Sequence, residues 1–401
     1  MTTWFSTARY GMFIHYGPYS AAARGEWVAN RESYTKDCYI KDCVLPFAAS
    51  RCDPREWARL ARDAGMGYLV LTTRHHDGFC LWDTGTTEFK ATRLGPRRDL
   101  VREYVDAVRA AGLKVGFYYS TADWFHPDYP GAHHRDWPHG WPDEAGRKRF
   151  IQYCRAQLEE LMTRYGKIDL LWHDGCIPEP FDGIETNALV KRLQPHIMIN
   201  NRAGEPCDFY SCEQAIKPAA PGRLWEACMT LNDNWGYHAG DNNWKTPRQV
   251  IRMLLETSGN AGNLLLNVGP RADGTIPEES ERILREAGDW LRRNREFLPD
   301  SERSPFSWNN WGRVTTRGNR IYLHIINSTG ATLRQPDIKN RVLRAFCLDG
   351  GREVPFVQEA DMITLRDLPV PLRDPIATTI VLEVEGAPET TRKQTSFWIP
   401  G

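Results

Sequence analysis

No stretch of this 401-residue chain approaches the ~20 consecutive apolar residues that cross a bilayer, so no membrane partner is expected. There is no surplus of charge either. Lys+Arg and Asp+Glu both number 51, which removes the electrostatic basis for gripping nucleic acid. The opening residues, Met-Thr-Thr-Trp-Phe-Ser, carry neither a basic nor an apolar signal region, and a cytoplasmic protein is expected. None of the ten cysteines forms a C-x-x-C pair, which argues against a structural zinc site and for free thiols rather than a disulfide framework. No G-x-G-x-x-G follows a first strand, which excludes a Rossmann reading. Internal repeats and low-complexity tracts are absent.

What is present is the balance of a globular protein, 41% hydrophobic and 25% charged, long enough for one large domain and a smaller one. Tryptophan, at 15 residues, equals tyrosine and phenylalanine. Large rings with a polar handle suit sugar sites, yet they also fill large cores, and composition does not separate the two.

Up to residue 298 short apolar strands alternate with amphipathic helices. Strands are read at 11–16, 68–72, 114–119, 168–172, 196–200, 224–227 and 263–268. Helices are read at 54–64, 99–111, 146–165, 186–193, 247–257 and 277–293, with Gly65, Gly112 and Gly166 at helix stops. Strands that are apolar throughout need cover on both faces, which means a parallel sheet. Seven such units over about 300 residues fit a (β/α)8-type barrel, with one element missing. After residue 300 the helix pattern ends, and short strands at 322–326, 342–346, 362–365 and 378–384 lie between Gly- and Pro-rich turns. The expected architecture is therefore α/β, a barrel over 1–298 followed by an antiparallel β-sandwich over 299–390, with a loosely ordered tail at 391–401.

Working groups of such a barrel sit at the C-terminal ends of its strands. Those ends carry His15; Arg74, His75, His76 and Asp77; Tyr118, Tyr119 and Ser120; Trp172, His173 and Asp174; and Asn200, Asn201 and Arg202. Glu226 lies on the strand at 224–227, and Glu213 on the loop before it. Carboxylates, imidazoles, an arginine and aromatic rings grip an uncharged, hydroxyl-rich ligand, and two carboxyls suggest glycoside hydrolysis. A lone aspartate after a strand is more often a helix cap, and a histidine pair more often one core and one surface imidazole. Here five polar strand ends coincide, and Asp174 follows a fully apolar strand, which favours chemistry. A metal site in such a barrel would want His-x-His on the first strand, which offers His15 alone.

The motifs G-M-F-I-H-Y-G-P-Y-S (11–20) with Glu26-Trp27, H-H-D-G-F (75–79), L-W-H-D-G (171–175), N-N-R (200–202), W-E-A-C-M-T-L-N-D-N-W-G-Y (225–237) and N-L-L-L-N-V-G-P-R-A-D-G-T-I-P (263–277) together resemble the α-L-fucosidases of glycoside hydrolase family 29. The spacing from His15 to Glu26 and the W-E-A-C-M-T stretch resemble the subgroup that prefers α-1,3/1,4-linked fucose on branched glycans. The resemblance implies a retaining, exo-acting enzyme that releases terminal L-fucose from fucosylated oligosaccharides, without metal or cofactor. It implies Asp174 as nucleophile, with His15, Glu26, His75 and His76 on the sugar hydroxyls. Trp27, Tyr119 and Trp172 would line the pocket, Arg202 would keep Asp174 ionised, and Trp235 would wall the apolar side of fucose.

Two points depart from the family pattern. His173 stands before the nucleophile, where phenylalanine is usual. The acid/base residue varies in position across the family, so it does not carry over by motif. Glu213, 39 residues after Asp174, is favoured over Glu226. The rivals are a barrel that binds fucose without cleaving it, a glycosidase of the same fold for another sugar, and a metal-dependent hydrolase. The aromatic segment 125–144 is expected at the mouth of the site. Trp308 and Trp311 are expected to pack against the barrel, and oligomeric state is not legible.

Overall fold

Runs such as Tyr68–Arg74 are buried at every position, so strands of this kind must be covered on both sides. The computed structural model describes residues 3–129, 143–175, 181–306 and 309–392. Trp308, most of the 125–144 segment and the tail from 393 onward fall outside those residues.

Eight parallel strands form one curled sheet: β1 (Tyr10–Ile14), β2 (Tyr68–Arg74), β3 (Lys114–Ser120), β4 (Leu170–Asp174), β5 (Met198–Ile199), β6 (Tyr210–Glu213), β7 (Trp225–Thr230) and β8 (Asn263–Val268). Their order is β5-β4-β3-β2-β1-β8-β7-β6, which is sequential around a ring. The ring is joined between β5 and β6 by the single parallel bridge Asn200–Phe209. The expected barrel is present, and its missing strand is β6.

Six long helices cover the outside: α1 (Pro54–Asp63), α2 (Leu100–Ala110), α3 (Glu144–Arg164), α4 (Gly183–Leu193), α5 (Pro247–Ser258) and α6 (Glu278–Asn294). Asp53, Asp99, Asp143 and Thr246 cap four of them by accepting backbone N–H bonds. Gly65 and Gly112 end α1 and α2 at φ 84° and 73°, the left-handed conformation that stops a helix. No helix separates β5 from β6 or β6 from β7. A 3₁₀ turn (Asn201–Ala203) and short loops make both connections.

Alternation along the strands divides two cores. Phe13, Val70, Tyr118, Leu170, Trp172 and Leu265 point inward, while Met12, Leu69, Phe117, Leu171 and Leu266 face the helices. Gly11 is inward too, and a Cβ there would come within 2.5 Å of the Tyr68 ring. The long excursion between β1 and α1, built of short helical turns, is stapled back where the Tyr39 hydroxyl donates to Asp77 at 2.6 Å. Asp77 is thus a structural group, and burial raises its carboxyl to about 6.

The C-terminal region has a four-stranded antiparallel sheet and a three-stranded one. The larger has the order β12 (Val342–Cys347), β15 (Thr378–Val384), β10 (Arg320–Ile325), β9 (Gly312–Arg317). The smaller runs β11 (Leu333–Gln335), β14 (Met362–Leu365), β13 (Phe356–Glu359). Leu323 and Ile380 of one share a core with Leu333 and Ile363 of the other, as in a sandwich. Trp311 belongs to that core rather than to the barrel surface. The Trp290 indole of α6 donates to the Ala377 carbonyl at 2.8 Å, which ties the two regions together. Among the described residues no helix is long and apolar enough to cross a membrane. Nine cysteines lie among them, all free.

Candidate active site

Asp174 ends β4, and each flanking strand end helps place it. Asn200 donates to the His173 carbonyl at 3.0 Å and accepts from the His173 N–H at 2.9 Å, supplying a rung where β5 is too short to pair. On the other side the Thr121 N–H donates to the Asp174 carbonyl at 2.8 Å. Alternation turns the Asp174 carboxylate inward and His173 outward. His173 is fully buried beside Asn187 of α4, away from the Asp174 carboxylate, and burial lowers its imidazole to about 4.

The Asp174 carboxylate is 16% exposed and fully engaged. Oδ1 accepts from Arg202 Nη1 at 2.9 Å, Oδ2 accepts from the Tyr118 hydroxyl at 2.8 Å, and His76 Nε2 lies 3.6 Å from Oδ2. Burial alone would raise this carboxyl. His76, the Arg202 guanidinium and the Tyr118 hydroxyl outweigh it and hold the group below the usual carboxylate range. Burial brings His76 itself down to about 4, so Arg202 is the cation present at neutral pH.

Arg202 has a second carboxylate. Its Nη2 donates to Glu213 Oε2 at 2.7 Å, while its guanidinium lies 5.0 Å from the centre of the Trp172 ring. Glu213 is the last residue of β6, not part of a loop as expected from sequence, and its side chain is 42% exposed. One guanidinium therefore carries both acids, one on each terminal nitrogen.

These groups open onto a solvent-facing cavity lined by His15, Glu26, Trp27, His75, His76, Trp172, Asp174, Arg202, Glu213 and Trp235. One sequence expectation fails. Tyr119 points to the helix layer, where its hydroxyl donates to Gln157 of α3 at 2.9 Å. Tyr118, its neighbour on the inward side, takes the place expected for it. Glu226 is fully buried beneath the floor, with Trp172 and Tyr68 donating to its two oxygens, and does not reach the cavity. Phe13 and Cys228 also line the site and carried no signal beyond apolar strand residues.

The network around His15 fixes its tautomer. His15 Nδ1 lies 2.7 Å from Asn267 Oδ1, and Asn267 Nδ2 donates to the Trp235 carbonyl at 2.7 Å. Asn267 Oδ1 must then accept, so His15 carries its proton on Nδ1 and leaves Nε2 bare. Burial lowers His15 to about 3 and His75 well below the ordinary range. The His75 ring stacks on Tyr118 at 8° and 5.6 Å. Glu26 is held by the Gly236 N–H at 2.7 Å, and burial raises its carboxyl despite that bond.

The α-L-fucosidase family model matches residues 1–296. The chain belongs to the α-L-fucosidase family. It is a glycoside hydrolase, 33% identical over 329 residues to the tissue α-L-fucosidase of Rattus norvegicus, an alignment spanning 74% of this chain and 69% of the rat protein. Among solved structures it is similar to α-L-fucosidase isoenzyme 1 from Paenibacillus thiaminolyticus, with TM-score 0.88, 38% identity and coverage of 95% and 98% of the two chains. It is also similar to a Bacteroides thetaiotaomicron α-L-fucosidase described as a trapped covalent intermediate with 2-fluoro-fucosyl fluoride. That match has TM-score 0.86, 26% identity and 96% and 95% coverage.

For this fucosidase, two variants probe the groups around the pocket. Asn267→Leu frees the His15 tautomer and the Trp235 carbonyl. KM for an aryl fucoside is expected to rise about tenfold, the worth of one or two lost hydrogen bonds, with a smaller change in kcat. Arg202→Met removes the cation that keeps Asp174 low, so the carboxyl rises. If chemistry needs Asp174 ionised, the acid limb of the kcat/KM profile moves to higher pH, which a profile measured from pH 3 to 8 reads directly.

Proposed function

We propose that the enzyme is a retaining, exo-acting α-L-fucosidase with Asp174 as nucleophile and Glu213 as acid/base. The observation that carries this reading is the Arg202 fork. One guanidinium holds both carboxylates on the same side of the cavity, one buried and one at the rim, as a nucleophile and a proton donor acting on one glycosidic bond require. Asp174 is enclosed and ionised, as a nucleophile must be, and Glu213 stands at the rim, where a leaving group departs.

In the first step Glu213 protonates the glycosidic oxygen while an Asp174 oxygen attacks the anomeric carbon, forming a fucosyl-enzyme and freeing the aglycone. In the second, Glu213 takes a proton from water, which displaces Asp174. The covalent intermediate trapped in the Bacteroides relative supports two displacements. The cavity is closed below by Trp172 and Phe13, which suits a terminal sugar rather than one inside a chain. Neutral His15 accepts from a sugar hydroxyl, and the Trp235 ring beside it offers an apolar wall for the fucose methyl.

The substrate class is α-1,3/1,4-linked fucose on branched oligosaccharides, a reading supported by the resemblance over 11–27 and 225–230. The test sets an aryl α-L-fucoside beside a Lewis-type branched oligosaccharide and follows the released sugar by NMR. Release of the α-anomer first, with preference for the branched substrate, is the expected outcome. Initial release of the β-anomer overturns retention, and equal use of both substrates overturns the linkage preference alone.

A further inference from the structure

Below the pocket lies a carboxyl for which the two-displacement chemistry has no use. Glu226 sits on β7 in the barrel interior, fully buried, and accepts from the Trp172 indole at 3.0 Å through Oε1 and from the Tyr68 hydroxyl through Oε2. Its donors come from β4 and β2, so one side chain spans the inside of the barrel. A buried acid is costly, and an apolar residue would fill this space more cheaply unless the acid holds something.

What it holds is the base of the catalytic pair. The Trp172 ring stacks on Tyr118 at 15° and 5.9 Å, and Tyr118 donates to Asp174. The Arg202 guanidinium that joins Asp174 to Glu213 lies over the same indole. Rotation of Trp172 would therefore disturb both contacts of the nucleophile together. We propose that Glu226 is a positioning residue, which locks the Trp172 indole from beneath and so holds Tyr118 and Arg202 in register with Asp174. This rests on the assignment of Asp174 and Glu213 above. Both Glu226 oxygens are occupied and neither faces the cavity, so the residue acts through Trp172 rather than on the sugar. Burial raises its carboxyl to about 7, and an amide keeps an oxygen to accept from the Trp172 indole while its N–H can donate to the Tyr68 hydroxyl.

The test compares Glu226→Gln with Glu226→Met on an aryl fucoside, with circular dichroism to check folding. The amide is expected to keep kcat within about threefold. The thioether, which gives the Trp172 indole no strong acceptor, is expected to lower kcat about a hundredfold with KM within about twofold, the pattern of misplaced reacting groups. Trp172→Phe breaks the same bond from the other end and is expected to lower kcat at least tenfold, which answers the question if the Met variant does not fold. Unchanged kcat in the Met variant or in Trp172→Phe overturns the inference and leaves Glu213 untouched. A Glu226→Gln enzyme that is inactive until azide is added, then yields fucosyl azide of retained configuration, overturns this inference and the Glu213 assignment together.

Discussion

Asp174→Ala is expected to lower kcat on every fucoside by on the order of 10⁴-fold or more, whatever the leaving group, because no bond to the anomeric carbon can then form from the enzyme. Such a loss corresponds to about 5.5 kcal/mol of transition-state stabilisation. The substitution leaves Arg202, Glu213 and the imidazoles in place, so fucose should still bind, which calorimetry can verify. Azide fits the space left by the carboxylate and attacks from the same side. One displacement inverts the centre, so the product expected from an α-fucoside is β-L-fucosyl azide. An active alanine variant, or azide product of retained configuration, removes Asp174 from the nucleophile's role.

As the proposed acid/base, Glu213 gives a different signature when removed, because that work depends on the leaving group. A glycan alcohol leaves only when protonated, whereas an activated phenolate leaves unaided. Glu213→Ala should cost about 10³-fold on a fucosylated oligosaccharide and far less on the first step of an activated aryl fucoside. The second step still needs a base, so the aryl reaction is expected to show a burst and then stall as fucosyl-enzyme accumulates. Azide needs no base. It should restore turnover and give α-L-fucosyl azide, retained through two displacements. Equal losses on both substrates would count against Glu213 and return attention to Glu226. The enclosed position of Glu226 beneath Trp172 argues that its variants follow neither pattern.

Strand ends and helix stops were legible because continuous apolar runs and glycine punctuation mark them. The sequence 210–213 was not read as a strand because β6 is half-exposed, pairs with β7 alone along its length and shows no apolar run. Glu213 was in consequence placed on a loop, although its chemical role could still be argued. Tyr118 and Tyr119 illustrate a different limit. Both faces of a barrel strand are apolar, so periodicity cannot tell which tyrosine looks inward. Only the register of β3 with β4, which sets Tyr118 beside Trp172, decides it. His173 is a question of the same kind, answered by a single residue of alternation. The sequence around Asn267 carries no sign of its task, which is to join His15 on β1 to a carbonyl beyond β7.

The single bridge between β5 and β6 has a consequence for how such enzymes diverge. Asp174 stands on a strand end held from both flanks, where a change in chain length would shift the register of its neighbours. Glu213 stands beside the join, between connections at 200–209 and 214–224 that contain no helix. Residues can be gained or lost in either connection at the expense of one rung. Insertion is therefore cheap beside Glu213 and costly beside Asp174. With Glu213 as the proposed proton donor, a lineage built on this plan can move that group along the chain and remodel the space around it, while Asp174 keeps its address.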